Sequence, residues 1–176
     1  MLDKKRIKEA EVNVKSYLEE GLLKKTKETN IKILEILKNN SQESLKIAKI
    51  VSKESSLWAI VCSYYSMYYI ANAVLFKLGY KVGEKISHKV TSDALIVYVR
   101  NKLKIKLIEE FEEAKEEASE IAGLKTDSLL ESFDFERGKR SRMQYNMTEE
   151  VKKSKAKTSL ERAKSFVFEM EKLLKD

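Results

Sequence analysis

No proline occurs anywhere in the 176-residue sequence, which also contains only five glycines. Proline interrupts helix interiors because it lacks a backbone N–H and clashes with the preceding turn. All-β domains, in contrast, need many turns rich in glycine and proline. Hydrophobic residues make up 43% of the chain, which is enough to bury a core and excludes a disordered chain. We therefore predict an all-α fold, an antiparallel up-and-down helical bundle with short connections.

Apolar residues recur at steps of three and four along most of the chain, which is the period of an amphipathic helix. The spacing predicts a helix over residues 5–38 that can break at the polar stretch 24–30, then a helix stop at 39–41 and a capping box at Asn40 and Glu43. It next predicts a joint at 53–56, a stop at Gly79 and a helix cap at Ser87. An acidic helix with an apolar stripe that continues to Phe133 follows, and the last helix starts after a capping box at Asn146 and Glu149. Residues 1–40 are accordingly predicted to be an N-terminal helical extension of one compact domain, and residues 41–176 its bundle of about five helices.

The most apolar segment, residues 57–78, carries four tyrosines that cover more than one side of a helix, Tyr64, Tyr65, Tyr68 and Tyr69, with Trp58 before them. A helix that is apolar over so wide an arc belongs at the centre of a bundle. We expect these aromatic residues to form core and dimer contacts, with a ligand platform as the alternative. Cys62 is expected to be a small core residue, with catalysis as the alternative. Polar residues interrupt this segment, so we expect that no apolar stretch reaches membrane-spanning length and that no membrane span exists.

The charged residues are distributed unevenly. The net charge is +7, and glutamates crowd residues 109–120 while Arg and Lys crowd residues 137–157. The two blocks could pair between neighbouring helices as ordinary surface charge, or the basic block could attract a polyanion such as nucleic acid. The first residues lack the apolar stretch of a signal peptide, so we expect a cytoplasmic protein.

The best candidate binding site is ERGKRSRMQY, residues 136–145. Arg137 and Arg140 extend the apolar stripe of the preceding helix, and Arg142 follows. A guanidinium group can hold a phosphate or a carboxylate through two parallel hydrogen bonds. Tyr145 could stack on a base or donate a hydrogen bond. The alternative is a basic loop that only contacts acidic neighbours.

His88 is the only histidine of the chain. A lone histidine cannot build a multi-histidine metal site, so we predict no metal and no cofactor. His88 could cap or pack a helix, bind an anion or transfer a proton. No phosphate-binding glycine loop, paired-cysteine motif or zinc-protease motif occurs in the sequence.

Three segments together resemble the HEPN family of helical bundles, the higher-eukaryote and prokaryote nucleotide-binding domains. They are SYYSMYYIANAVLFKLGYKV at residues 63–82, SHKVTSDAL at residues 87–95, and ERGKRSRMQYNMTEEV at residues 136–151 leading into KTSLERAKSFVFEMEKLL at residues 157–174. The resemblance covers roughly residues 41–176. It implies a helical bundle that commonly forms a two-fold dimer.

In ribonuclease members of this family an arginine is followed, after a short spacer, by a histidine, and dimerisation brings two copies together as a metal-independent RNA-cleaving cleft. Arg140 matches the arginine, but Tyr145 and its neighbours stand where the histidine would be. The resemblance therefore implies the non-ribonuclease branch, with Arg140 and Tyr145 binding a nucleotide or RNA. It also implies a possible small nucleotidyltransferase partner in a toxin–antitoxin-like pair. The alternatives are a divergent ribonuclease and a purely structural bundle.

Overall fold

The computed structural model describes residues 2–27, 30–122 and 149–175. The elements are α1 (Lys4–Glu19), β1 (Leu23–Lys25), α2 (Ile31–Val51), α3 (Ser56–Lys77), β2 (Tyr80–Val82), α4 (Ser87–Tyr98), a short 3₁₀ turn (Arg100–Lys102), α5 (Ile105–Ala122) and α6 (Glu149–Leu173). The predicted all-α helical bundle is confirmed, with six helices in these residues and one small two-stranded sheet.

Helix α3 lies at the centre, and α2, α4, α5 and α6 all pack against it. Its side chains are buried on most sides, including Tyr64, Met67 and Ile70. The hydroxyl of Ser55 caps its start by accepting a hydrogen bond from the Trp58 backbone N–H, and Gly79 follows its end with a φ of 87°. The predicted joint at 53–56 and the predicted stop at Gly79 are both confirmed.

Helix α2 runs without a break from Ile31 to Val51, so the predicted stop at residues 39–41 and the capping box at Asn40 and Glu43 are wrong. The helix starts instead at Asn30, whose side-chain oxygen accepts hydrogen bonds from the Lys32 and Ile33 backbone N–H groups. Asparagine costs a helix interior only about 0.7 kcal/mol or less, which packing against α3 outweighs. Ser41 takes part in that packing, because it is buried and its hydroxyl donates to the Ser66 carbonyl at 2.7 Å. The predicted boundary between extension and bundle, at residue 40, thus falls inside α2.

The break expected at residues 24–30 exists, but it contains a strand that the sequence pattern did not predict. Strands β1 and β2 pair antiparallel, with Leu23 opposite Val82 and Lys25 opposite Tyr80. After β2 the chain returns to the middle of α3 before α4 begins. Tyr98, at the end of α4, stacks on Tyr80 with 3.9 Å between ring centroids. Helix α4 therefore runs beside the second half of α3 in the same direction.

The start of α4 differs from the expected cap. Ser87 is the first helical residue, and Ile86 occupies the cap position with a φ of 42° and no side-chain hydrogen bond to the helix. The predicted cap at Ser87 is therefore wrong.

Ion pairs join helices α5 and α6. One of them links the two charged blocks of the sequence, as predicted, and the others involve an arginine outside the basic block. Lys155 lies 4.0 Å from Glu120, but the shorter contacts come from Arg162, at 2.6 Å from Glu113 and 3.1 Å from Glu117. The predicted continuation of the acidic helix to Phe133 and the capping residue Asn146 lie outside the described residues.

Helix α3 is also the one described helix that is long and apolar enough to cross a membrane by length and composition. The expectation that no segment reaches this length is wrong in that respect. However, 78% of its most apolar window is buried inside the bundle. The apolar character of α3 is accounted for by its central position.

A buried carboxylate fastens α1 to α4. Asp93 is fully buried, and its Oδ2 atom accepts hydrogen bonds from the Tyr17 hydroxyl at 2.9 Å and the Asn13 amide at 3.0 Å. The Arg6 guanidinium lies 2.7 Å from Asp93 and 2.6 Å from Glu112 on α5. Burial alone would lower the pKa of Arg6, but the hydrogen bonds and charges of Glu112 and Asp93 outweigh it and raise that pKa. One arginine thus ties α1 to two other helices.

We predict that Arg6→Ala destabilises the protein by roughly 3 kcal/mol, because it leaves the buried Asp93 carboxylate without its counter-ion. Arg100→Ala is the matched control, since Arg100 pairs with the more exposed Glu11 at 3.3 Å. That exposed pair should contribute less than about 1 kcal/mol. Urea unfolding followed by circular dichroism measures both. Equal losses in the two variants would contradict a special role for the Asp93 contact.

Candidate functional site

His88 stands in the first turn of α4 and points into the bundle. Its side chain is almost completely buried, and its Nδ1 lies 2.6 Å from the Tyr64 hydroxyl, a hydrogen-bond distance. Tyr64 is itself buried, and its ring lies tilted against that of Phe111 on α5, with 5.9 Å between ring centroids. The lone histidine is therefore held where α3, α4 and α5 meet.

Tyrosine rings surround the imidazole. The His88 ring centroid lies 4.3 Å from that of Tyr68, 5.5 Å from that of Tyr64 and 5.7 Å from that of Tyr65. Tyr69 extends this group, with 6.0 Å between its ring centroid and that of Tyr65. We call these five residues the tyrosine–histidine cluster. It arises because Tyr64, Tyr65 and Tyr68 follow one another at helical spacing on α3 while α4 begins beside them.

The cluster keeps His88 uncharged. Burial lowers the pKa of His88 from 6.5 to about 4, and the nearby positive charge of Lys115 on α5 contributes in the same direction. Both effects disfavour the imidazolium form. At neutral pH the ring is therefore a neutral hydrogen-bonding and stacking group that carries a single N–H proton.

A seam of polar contacts lies next to the cluster. The Asn72 amide donates to the Tyr68 carbonyl at 2.9 Å and to the Thr91 hydroxyl at 3.2 Å. Thr91 in turn donates to the Ser87 carbonyl at 2.8 Å. Burial raises the pKa of Tyr68, with hydrogen bonds to Ser87 and Thr91 acting in the opposite direction. Since a buried polar group without a partner is costly, these contacts fix the position of α4 on α3.

One side of α3 stays accessible to solvent. Trp58, Cys62, Tyr65 and Tyr69 follow one another at steps of four, three and four, and we call this line the aromatic stripe. Trp58 is 58% exposed, and the other three are half-buried. The expectation that Cys62 is a core residue is wrong to that extent, although partial burial still raises the pKa of its thiol.

The predicted aromatic residues thus divide between two environments. Tyr64 belongs to the core, as expected for one of the two roles. Tyr65 and Tyr68 are half-buried beside His88, and Tyr69 is half-buried beside Tyr65. Whether the exposed part of the aromatic stripe contacts a second copy stays a prediction. His88 is packed inside the bundle against Tyr64, and its expected roles in anion binding or proton transfer stay predictions.

The arginines of the candidate binding segment, Arg137, Arg140 and Arg142, and Tyr145 lie outside the described residues. The sequence pattern also missed Lys115, Asn72 and Thr91 as neighbours of the cluster. Asn72 carried a usable signal, because a polar amide within the most apolar segment must find a partner inside the bundle. Lys115 carried none, since one lysine in a charged amphipathic helix looks like any other.

Two grooves on the described surface lie away from His88. A groove of about 770 Å³ between α5 and α6 is lined by paired charges such as Glu113 and Arg162, and one of about 380 Å³ between α2 and α6 contains Leu45 and Phe168. No group of three or more histidine, cysteine or acidic side chains suited to a metal ion occurs within residues 2–27, 30–122 and 149–175.

The chain matches no family model, no curated protein and no solved structure.

We predict that the free energy of unfolding falls between pH 6.5 and pH 4 through His88. In this window the unfolded chain binds a proton on His88 and the folded chain does not, so the stabilisation is complete above pH 6.5 and is lost as the pH falls. From pH 7.5 to pH 5 the loss should be about 2 kcal/mol.

Urea unfolding of the native protein and of His88→Gln at these two pH values measures this contribution. Glutamine does not titrate, so the variant should lack it, while the titrating carboxylates affect both proteins equally. The same pH dependence in both proteins would show that His88 titrates normally and would contradict the assigned environment.

Proposed function

We propose that this protein is a dimeric, HEPN-like binding module of the cytoplasm rather than an enzyme. Its ligand would be a nucleotide or RNA, or its partner a small nucleotidyltransferase in a toxin–antitoxin-like pair. The proposal joins the family resemblance of the sequence to the all-α bundle and to the environment of the lone histidine.

The state of His88 is the observation that carries the non-catalytic part of the proposal. Metal-independent RNA cleavage needs a group that transfers protons near neutral pH, with a pKa close to the working pH. The only imidazole of the chain is buried against Tyr64 and Tyr68, and its pKa is about 4. It is too weak a base and too inaccessible for that task. Tyr145, with an unperturbed pKa near 10, is a poor substitute.

The binding part of the proposal rests on Arg137, Arg140 and Arg142 with Tyr145. Guanidinium groups suit phosphate oxygens, and a tyrosine ring suits a base, so the segment combines the two contacts that a nucleotide offers. The net charge of +7 favours approach of such an anionic ligand.

A divergent ribonuclease remains the second candidate, because Arg140 occupies the position of the family's catalytic arginine. That reading would need Tyr145 or His88 to move protons. A purely structural bundle is the third, and it would neither bind nor cleave.

We predict that the purified protein binds a labelled nucleotide or a short RNA saturably and cleaves neither structured nor unstructured RNA in the presence of a chelator. Arg140→Ala should weaken binding about 10- to 100-fold, the effect of one charge-assisted contact to phosphate. Arg100→Ala, which removes the same charge from the 3₁₀ turn, is the matched control and should bind normally. Fluorescence anisotropy and gel analysis of end-labelled RNA provide the two readouts.

Cleavage that persists with chelator and disappears in Arg140→Ala would favour the ribonuclease and contradict the proposal. Neither binding nor cleavage, together with no association with a nucleotidyltransferase, would leave only the structural bundle.

A further inference from the structure

Helix α2 carries a second apolar line that faces away from the core. Its core side contains Leu34 and Leu37, which pack against the core, and the buried Ala48. The second line, which we call the α2 stripe, follows steps of three and four through Ile33, Ile36, Asn40, Glu43, Ile47 and Ile50. Ile36, Ile47 and Ile50 are 56%, 40% and 63% exposed.

These isoleucines are concentrated rather than scattered. Eight large hydrophobic side chains are exposed among the described residues, and three of them lie on the α2 stripe. Scattered exposed hydrophobic residues are normal on a soluble protein, but isoleucine pairs at both ends of one line, with alternating steps of three and four between its positions, fit a helix that packs against another helix.

The α2 stripe reads the same from either end: two isoleucines, two polar residues, two isoleucines. If two copies of α2 lie antiparallel, the first position of one stripe meets the last position of the other. Ile33 then faces Ile50 of the second copy, Ile36 faces its Ile47, and Asn40 faces its Glu43. A two-fold contact requires such self-complementarity, whereas a contact with an unrelated protein does not.

The central polar layer also fits this arrangement. The Asn40 amide can donate a hydrogen bond to the Glu43 carboxylate of the second copy, and the two-fold repeats the contact. A polar pair at the centre of an apolar seam fixes the register of two helices, because sliding one helix along the other would bury the polar side chains against isoleucine without a partner. The contact thus gives Asn40 and Glu43 a role in fixing the register.

The aromatic stripe borders the same side of the molecule. On α3, Ser66 faces α2 and Asn72 faces α4, and Tyr65 and Tyr69 fall between these two directions on the helical wheel. Trp58 lies in the first turn of α3, just after the turn that ends α2 and at the same end of the bundle as Ile50. The α2 stripe alone is about 27 Å long, and the aromatic stripe would widen the contact toward the area of a stable dimer.

We infer that the occupant of this face is a second copy of the chain, docked through antiparallel α2 helices. The inference deepens the dimer of the proposed function by naming its contact surface and register. It does not depend on which ligand the protein binds.

The first experiment determines the mass in solution by light scattering and sedimentation at micromolar concentration. The native protein should have twice the chain mass of 20.4 kDa. Ile36→Lys and Ile47→Glu should each be monomeric, with the dissociation constant raised at least about 100-fold, because each places two unpaired charges in the symmetric contact. Ile31→Lys is the matched control, since Ile31 is 69% exposed on the same helix but lies off the α2 stripe. It should remain dimeric.

The second experiment tests the register. The double variant Ile36→Lys/Ile47→Glu should recover the dimer, because the inferred register sets each lysine opposite a glutamate. Ile36→Lys/Ile50→Glu carries the same charges in the wrong register and should stay monomeric. Circular dichroism confirms that every variant is folded.

A monomeric native protein overturns both this inference and the dimer of the proposed function. A native dimer that survives Ile36→Lys and Ile47→Glu overturns the α2 contact alone. Failure of the double variant to recover the dimer overturns the register. Nucleotide binding measured on the monomeric variants reports separately on the ligand site.

Discussion

The bundle depends on burying α3, a mostly apolar helix that also carries several buried polar groups. The Tyr64 hydroxyl meets His88, the Asn72 amide meets Thr91, and the Ser66 hydroxyl donates to the Ser63 carbonyl within the helix. Each such group would cost about 1–3 kcal/mol if it were buried without a partner. Two of these partners belong to α4, so α4 has to lie beside the second half of α3. The strand β2 and the following loop make this possible by carrying the chain back toward the middle of α3.

The same packing determines what the lone histidine can do. Because α4 begins against Tyr64 and Tyr68, the imidazole that satisfies the tyrosine hydroxyl loses its contact with water and with it the stability of its charged form. The contact between Tyr64 and His88 therefore both holds α4 against α3 and lowers the pKa of His88 by burying its imidazole. The Asp93 carboxylate, five residues further along α4, is buried with Arg6 beside it and stabilises the position of α1 instead. The described part of the bundle therefore uses its buried ionisable groups for packing, and the proposed ligand contacts come from the arginine segment.

The sequence predicted the fold class and the limits of α3, since Ser55, Gly79 and a wide apolar arc are local signals. It predicted the ends of α2 poorly, because Asn39 and Asn40 form a local pattern that is typical of a helix stop. Only the packing of the other side of this helix on α3 shows that the helix continues. The three-residue strands are too short for an alternating pattern to show. Four tyrosines on one helix indicated a central position, but which of them stay accessible depends on where α4 lies, and no local pattern contains that information. The environment of His88 could not be predicted for the same reason, as Lys115 approaches it from a distant part of the chain.

The central claim is that the only histidine of this protein is locked into the bundle as a neutral group. Because the chain has one imidazole, its ring signals in a nuclear magnetic resonance spectrum are unambiguous, and a pH titration of those signals gives the pKa of His88 directly. The account requires a midpoint near pH 4, with the ring neutral throughout the physiological range. A midpoint at or above 6.5, the ordinary value of an exposed histidine, would mean that the imidazole can exchange protons with solvent, and the case against catalysis would fail.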